Sequence, residues 1–485
     1  DSFNEYAIRS GFFRFNYNYM NKYLVEANGR YDGSSRFPKE NRFGFFPSFS
    51  LGWQLGKEKF MDWSHSWLDE IKLRASWGQI GNQNIGNYLF NPSMDSYQAG
   101  WIIADNTQPI SLNPPALVRS NFTWEVVESL NVGVDLRLLN NRLQGTFEWY
   151  RRDTKDMLAP GMELPSAIGA SAPFQNVADL RTKGWELNLQ WNDKIRDWNY
   201  SVGFNLFDSK TEITKYNNKG GILNAHYVGQ NIGEIWGFKT DGFYEIDDFE
   251  DTWIDGKWKI KDGITTIYNN NSIRPGDVKY VNLRDDNNST TAISEGDNTL
   301  ANPGDREIIG NNTARYQYGI NASVGWKGIN LSVLLNGTGK RDAWINGSFM
   351  WPMNYQVFGN VYANQTDYWQ PNNWNKLYGE IDYTAKNPNA FYPRIYDEGK
   401  NAGTNHRVQT KYLSDASYIR LKNVTLSYTI PQAFMKKIGL MQAKIFFSGE
   451  NLCTWSKLPK GIDPVRLSFG YPFYATYSLG LSLTL

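Results

Sequence analysis

Leu130-Asn-Val-Gly-Val-Asp-Leu-Arg-Leu138 leads through Asn140–Asn141 into Leu143-Gln-Gly-Thr-Phe-Glu-Trp149. Apolar and polar residues alternate on both sides of the Asn pair. A β-strand sends successive side chains to opposite faces, so this is the pattern of two strands joined by a short connection. The period recurs along the chain. Ile71, Leu73, Ala75 and Trp77 alternate with Lys72, Arg74, Ser76 and Gly78, and Trp185, Leu187, Leu189 and Trp191 alternate with Glu186, Asn188 and Gln190. Ile320, Ala322, Val324 and Trp326 alternate with Asn321, Ser323 and Gly325, and the last stretch sets Tyr477, Leu479, Leu481, Leu483 and Leu485 against Ser478, Gly480, Ser482 and Thr484. Aromatic rings sit near the ends of these apolar faces, as in Trp185/Trp191, Phe147/Trp149 and Phe45/Trp53. Such rings suit the two interfaces of a membrane barrel. A large soluble sandwich also alternates, and alternation alone leaves both open.

Composition narrows the field. The 485 residues carry 50 Lys plus Arg against 49 Asp plus Glu, a net charge of +1. That balance argues against a nucleic-acid-binding surface. A hydrophobic fraction of 41% excludes a disordered chain. Mean hydropathy is −0.55, and no apolar run approaches the roughly 18 residues of a membrane helix. Aromatic residues make up 15% of the chain and there are 43 glycines, a mix that favours strands and turns over helices. Cys453 is the one cysteine, so no internal disulfide can form. Asp1 opens a polar stretch that runs straight into strand-like sequence. The front of the chain therefore reads as a cut, with no signal peptide.

The connections separate barrel from sandwich. About thirteen strands are expected, near 7–19, 22–34, 42–56, 68–78, 123–139, 142–155, 182–192, 198–210, 315–327, 329–340, 411–430, 441–451 and 472–485. Short connections at Met20–Asn21, Asn140–Asn141, Asp193–Arg196 and Lys327–Gly328 alternate with long ones at 79–121, 156–181, 211–314, 341–410 and 452–471. Two intermediate connections, 57–67 and 431–440, fall on the short side, and the brief 35–41 falls on the long side. Short turns on one side and long loops on the other describe a transmembrane β-barrel with periplasmic turns and extracellular loops. An odd strand count with a ragged front predicts partner strands upstream of Asp1, because an open edge in lipid leaves backbone groups unpaired.

These segments resemble the SusC/RagA-type TonB-dependent transporters of the Gram-negative outer membrane. The resemblance rests on Arg30-Tyr-Asp-Gly-Ser-Ser-Arg-Phe37 with Asn41-Arg-Phe-Gly44 and Phe46-Pro-Ser48, on Lys72-Leu-Arg-Ala-Ser76 with Gly81-Asn82, and on Ile235-Trp-Gly-Phe238 with Asp241-Gly242. Pro275-Gly-Asp-Val-Lys-Tyr280, Asp305-Arg306 with Ile309-Gly-Asn311, Tyr418-Ile-Arg-Leu-Lys-Asn423, and Gly449-Glu-Asn-Leu452 with Gly461-Ile-Asp-Pro464 complete it, in family order. The resemblance implies a roughly 22-stranded barrel, with residues 1–485 as its C-terminal part and the plug domain and N-terminal strands outside this chain. It also implies a SusD-like lipoprotein as a lid, a TonB contact made by the missing N-terminal region, and active import of an oligosaccharide or peptide. The barrel would be a multi-pass protein in outer-membrane lipid. Two features depart from the family. Val281-Asn-Leu-Arg-Asp-Asp-Asn-Asn-Ser289 and the insertion running to Asp305 lack EF-hand-like spacing, so a calcium ion is not supported and no cofactor is expected. The chain also ends in Leu485, where an aromatic residue is usual.

No enzyme chemistry stands out. His65, His226 and His406 occupy separate connections without zinc-ligand spacing, and no G-x-S-x-G elbow occurs. Gly337-Thr-Gly-Lys340 is followed by Arg341 and reads as a Gly-rich strand exit instead of a phosphate loop. Asp247, Asp248, Glu250 and Asp251 read as a solvated loop. The aromatic loop residues Trp101, Trp236, Trp351, Tyr355, Tyr362, Trp369 and Trp374 are the candidates for substrate contact, with packing within the loops or against a lid as the alternative. On the alternation, Lys72, Arg74, Asp135, Arg137, Glu186, Asn188 and Gln190 line the lumen, where they either hydrate it or hold a plug. Two rival functions remain, a passive porin-type channel and a soluble carbohydrate-binding β-protein.

Overall fold

The computed structural model describes residues 4–103, 106–114, 117–118, 122–161, 173–254, 257–267, 273–284, 291–347, 350–352, 361–372, 384–395, 402–468, 471 and 473–484. Thirteen strands form one antiparallel sheet, each paired with its neighbour in chain order. They are β1 Ile8–Tyr19, β2 Tyr23–Ser34, β3 Phe43–Gln54, β4 Leu68–Asn82, β5 Glu125–Leu138, β6 Leu143–Pro160 and β7 Phe174–Ile195. There follow β8 Trp198–Lys215, β9 Arg315–Trp326, β10 Ile329–Lys340, β11 Tyr418–Thr429, β12 Gln442–Ser456 and β13 Thr476–Thr484. Among the described residues β1 pairs only with β2, and β13 only with β12.

The tight turns explain their own residues. Met20 and Asn21 adopt φ of 54° and 53°, and Asn140 and Asn141 adopt 60° and 61°. Tight hairpin turns use this left-handed backbone to match the twist of the strands, and Asn accepts it at low cost. Gly328, at φ 91°, does the same between β9 and β10. A Cβ there would lie 2.7 Å from the Thr429 carbonyl oxygen.

Register carries the two faces across the whole sheet. Opposite residues run Tyr19–Tyr23–Trp53–Leu73–Val134–Phe147–Leu187–Leu206–Tyr318 from β1 to β9. One position along, a polar row runs Gln54–Lys72–Asp135–Thr146–Asn188–Asn205. Large apolar side chains stay exposed on the first face, among them Leu51, Val132, Phe147, Leu426 and Phe447. Exposed apolar residues in unbroken register are a surface made for hydrocarbon. The apolar row also climbs: Tyr19 ends β1 at the turn side, whereas Leu206 lies eight residues from the turn-side end of β8 at Trp198. At about 3.4 Å per residue that is roughly 27 Å of stagger, the tilt of strands in a barrel wall.

Several boundaries differ from the alternation reading; β4, β8 and β12 run four or five residues past their expected ends, to Asn82, Lys215 and Ser456. Both ends of the expected loop 156–181 are strand, because β6 runs on to Pro160 and β7 starts at Phe174. Register shifts at Thr154/Met157 and Met157/Leu158, with Asp156 at φ 56°, break the period and hide the extension. The strand expected from 411 begins at Tyr418, and Leu413–Asp415 pairs instead with Asp342–Trp344 above the sheet. The brief 35–41 connection is held by Phe37, fully buried against Phe46, Phe122 and Trp124. Its ring stacks 4.7 Å from that of Trp124.

Val134 lies mid-row on the apolar face. Val134→Lys should abolish the heat-modifiable folded band of the membrane-assembled protein, since Lys at the bilayer midplane costs about 2–4 kcal/mol. Val134→Leu should leave the band intact. An unchanged band for the Lys variant would show that this face does not meet lipid.

Candidate functional site

The polar face of β4–β7 carries a connected charge network. Arg74 sits between two carboxylates, with Nη1 2.6 Å from Glu148 Oε2 and Nε 3.3 Å from Asp135 Oδ2. Arg137 Nε lies 3.3 Å from Glu70 Oε2. Glu148 stands directly opposite Glu186, so Arg74 offsets a like-charge pair. Lys72 is in register with Asp135, and Asn188 lies two positions from Glu186 on the same face. Gln190 Nε2 donates to Ser201 Oγ at 3.0 Å. All seven expected lumen residues therefore lie on one polar face. Glu70 and Glu148 belong with them, and Glu148 was legible from its alternation with Phe147 and Trp149. Partly exposed pairs such as these contribute at most about 1 kcal/mol each, so they can rearrange cheaply.

The long connections form a folded assembly with its own core. Phe238, Tyr280, Ile293, Met350, Trp351, Trp369, Tyr392 and Tyr412 belong to one buried cluster drawn from the 211–314 and 341–417 loops, joined by Leu458 and Ile462 from the last loop. The motif Pro275–Tyr280 pins two of these loops together. Buried Asp277 accepts from the Arg274 amide at 2.9 Å and from Asn405 Nδ2 at 2.9 Å, while the Val278 amide donates to Asn405 Oδ1 at 2.9 Å. Tyr280 donates its hydroxyl proton to Thr404 O at 2.7 Å and accepts from Gln409 Nε2 at 3.0 Å. Burial pushes the phenols of Tyr280 and Tyr412 well above the usual range, so both stay neutral donors. Asn405 and Gln409 were invisible in the sequence, because their role is fixed by partners more than a hundred residues away.

The candidate aromatics divide. Trp351 and Trp369 are fully buried in the loop core, with no ring face open to a ligand. Their Nε1 atoms have no hydrogen-bond partner among the described residues. Trp236 is half-buried and donates to the Tyr227 hydroxyl at 3.0 Å, and Tyr227 donates in turn to Glu234 Oε2 at 2.7 Å. Tyr362 packs against the loop core. Trp101 is 57% exposed, beside Ile102 and Ile103 at the tip of a hairpin that pairs Ser96–Gln98 with Ile110–Leu112. Tyr355 and Trp374 lie outside the described residues.

The remaining polar candidates have structural partners. Asp248 caps its turn through the Glu245 amide and meets Lys279, while Glu250 pairs with Lys259 at 2.7 Å. The histidines lie apart: His65 contacts Gly56 O, His226 contacts Gln230, and His406 stacks on Trp351 with ring centroids 4.1 Å apart. Asp305 is fully buried and accepts from the amides of Leu283, Arg284 and Ser294, at 2.7, 3.0 and 2.7 Å. Backbone N–H groups thus satisfy that carboxylate. Among the described residues no group of three or more His, Cys, Asp or Glu is arranged to hold a metal ion. Residues 337–340 lie inside β10.

A tilted antiparallel wall, apolar on one face and polar on the other, with turns at one end and a packed loop assembly at the other, defines an outer-membrane β-barrel. Residues 1–452 match the family model described as "TonB dependent receptor-like, beta-barrel", and the chain belongs to that family. Two relatives are "TonB-dependent receptor P3" of Formosa agariphila, 26% identical over 99% of this chain and 46% of the relative, and "TonB-dependent receptor SusC" of Bacteroides thetaiotaomicron, 26% identical over 99% and 44%. The solved structure of the RagAB peptide importer in its closed-closed state aligns with 99% of this chain and 48% of its own, at 21% identity and a TM-score of 0.71, and shares the fold. The chain spans a little under half the length of these relatives. It resides in the outer membrane.

Two predictions follow from the loop core. Burial against Trp351 lowers the His406 pKa to about 4, so the folded loops hold the imidazole neutral. The unfolded loop protonates first, near pH 6.5. The stability from neutral His406 is therefore complete above about pH 6.5 and is lost as pH falls towards 4, by an order of 3 kcal/mol. Hydrogen-exchange protection of residues 402–416 should drop over that window. His406→Phe, which keeps the stack, should flatten the slope, and a persisting slope would assign it to another group. Gly276 has φ 92°, and a Cβ there would lie 2.4 Å from the Trp369 ring. Gly276→Ala should lower loop protection against protease by an order of 1–3 kcal/mol while heat-modifiable migration of the barrel persists.

Proposed function

We propose that this chain is the barrel portion of a SusC-type importer that moves an oligosaccharide or a peptide across the outer membrane, driven through TonB and covered by a SusD-like lipoprotein. The observation that carries the reading is the coexistence, on one family-matched sheet, of a lipid-fitting face, a lumen face with exchangeable ion pairs, and loops folded into an assembly above the lumen end. On this reading the thirteen strands are part of a larger closed wall, since unpaired edges in hydrocarbon are costly. Among the similar structures the RagAB importer carries peptides, and an exposed aromatic loop residue such as Trp101 suits an oligosaccharide as well. The charge network of Arg74, Asp135, Glu148 and Glu186, with Lys72 and Arg137 beside it, suits a wall that holds a plug by contacts a pull can release. Substrate or lid contact falls to Trp101, whose ring is open, and to the half-buried Trp236.

The test uses the full-length protein extracted from outer membranes. A lipoprotein should co-purify, and native mass spectrometry of cargo released from the complex should show either a hexose ladder or a peptide envelope. Uptake of that cargo should stop when the proton gradient is collapsed. Uptake that continues would identify a passive channel. Trp101→Ala should cut uptake or lid retention about tenfold while the barrel stays folded, the loss of one aromatic anchor. Unchanged values would remove Trp101 from the site.

A further inference from the structure

The apolar face of the wall ends in cations. Trp149 and Trp185 stand opposite each other on β6 and β7, at the loop-side end of the apolar strip. The next row outward on the same face reads Trp77–Leu130–Arg151–Lys183–Lys210 across β4 to β8. Three cations therefore lie side by side on three adjacent strands, directly beyond an aromatic pair. Like charges in directly opposed positions repel, so the arrangement costs stability unless an anion lies across it.

The carboxylates on that face are engaged or outnumbered. Asp153 is shared by Arg181 at 2.6 Å and Arg151 at 3.1 Å. Asp208 is taken by Arg315. Glu212 stands opposite Arg181, one row beyond Lys210. Lys183 and Lys210 are exposed and have no ion-pair partner among the described residues. The position selects the missing anion. An aromatic belt marks the membrane interface, and cations just past it sit at headgroup depth, where each basic residue gains from anionic lipid. The loop side is the outer leaflet, whose lipid carries phosphates on a sugar backbone at that depth.

We propose that Arg151, Lys183 and Lys210 form a binding site for the phosphates of lipid A, with the Trp149/Trp185 pair and Leu130 receiving its acyl region. This rests on the outward-facing loops of the reading above, but not on import itself. The test adds purified lipid A to the delipidated full-length protein and counts bound lipid by native mass spectrometry. The wild type should retain lipid A and release dephosphorylated lipid A. The double variant Lys183→Gln/Lys210→Gln should retain about tenfold less lipid A, and the Glu/Glu pair less still. Heat-modifiable migration confirms that each variant is folded. Equal retention by wild type and folded variants overturns the site. So does equal retention of lipid A and its dephosphorylated form by the wild type, a comparison that needs no variant. Preference for phosphatidylglycerol over lipid A overturns the choice of lipid. Cargo uptake is not read, so failure of this site and failure of the import reading are distinguishable.

Discussion

Hydrocarbon offers no partner to a peptide N–H or C=O, and every other feature of this molecule follows from that. A segment crossing a bilayer as strand must find its hydrogen bonds in neighbouring strands. The chain answers with thirteen strands in strict sequence order, each ladder continuous with the next. Chain-order antiparallel pairing forces connections to alternate between the two ends of the wall. One end can be economical, and there Asn, Gly and Lys fill tight left-handed turns. The other end is free to hold long insertions.

The periodic part of this architecture was legible in the sequence because it is local. Side-chain alternation has period two whatever the strand pairs with, so Leu130–Leu138 or Trp185–Trp191 declares its faces without knowledge of its neighbours. Legibility stopped where the period broke. Around Asp156 a bulge displaces the alternation by inserting unpaired residues, and the strand continues in space after its signature has ended. The polar wall was equally legible in kind, since Lys72, Arg74, Asp135 and Glu186 each fall on the polar side of their strand's alternation. Which carboxylates Arg74 would meet was not, because that depends on strand register.

The loop assembly was opaque for a different reason. Trp101, Trp351 and Trp369 occur in similar surroundings, Asn- and Gly-rich and without period, yet one is open and two are sealed in a core. Burial there is decided by contacts between loops separated by more than a hundred residues, as in the pairing of Asp277 with Asn405. No local pattern encodes such a contact. Pro275–Tyr280 resembles a family motif, and the structure shows what it does here: Gly276 has the φ that places its backbone against the Trp369 ring, and Asp277 and Tyr280 bind across loops.

Tilt connects these observations. Because opposed residues climb about one position per strand, a single registered row does not stay at one depth. Leu130 and Lys210 belong to the same row, yet the first is beside Trp77 and the second is three strands further along and correspondingly higher. The change from apolar to basic along that row is therefore a change of medium, from acyl chain to headgroup. The same stagger separates Tyr19, at the turn end of β1, from Leu206, far up β8. A sheet without shear would set its boundary residues in straight rows, all aromatic or all charged. Here each row passes through the boundary, and the residue at which it turns from Leu and Trp to Arg and Lys marks the height of the interface on that strand.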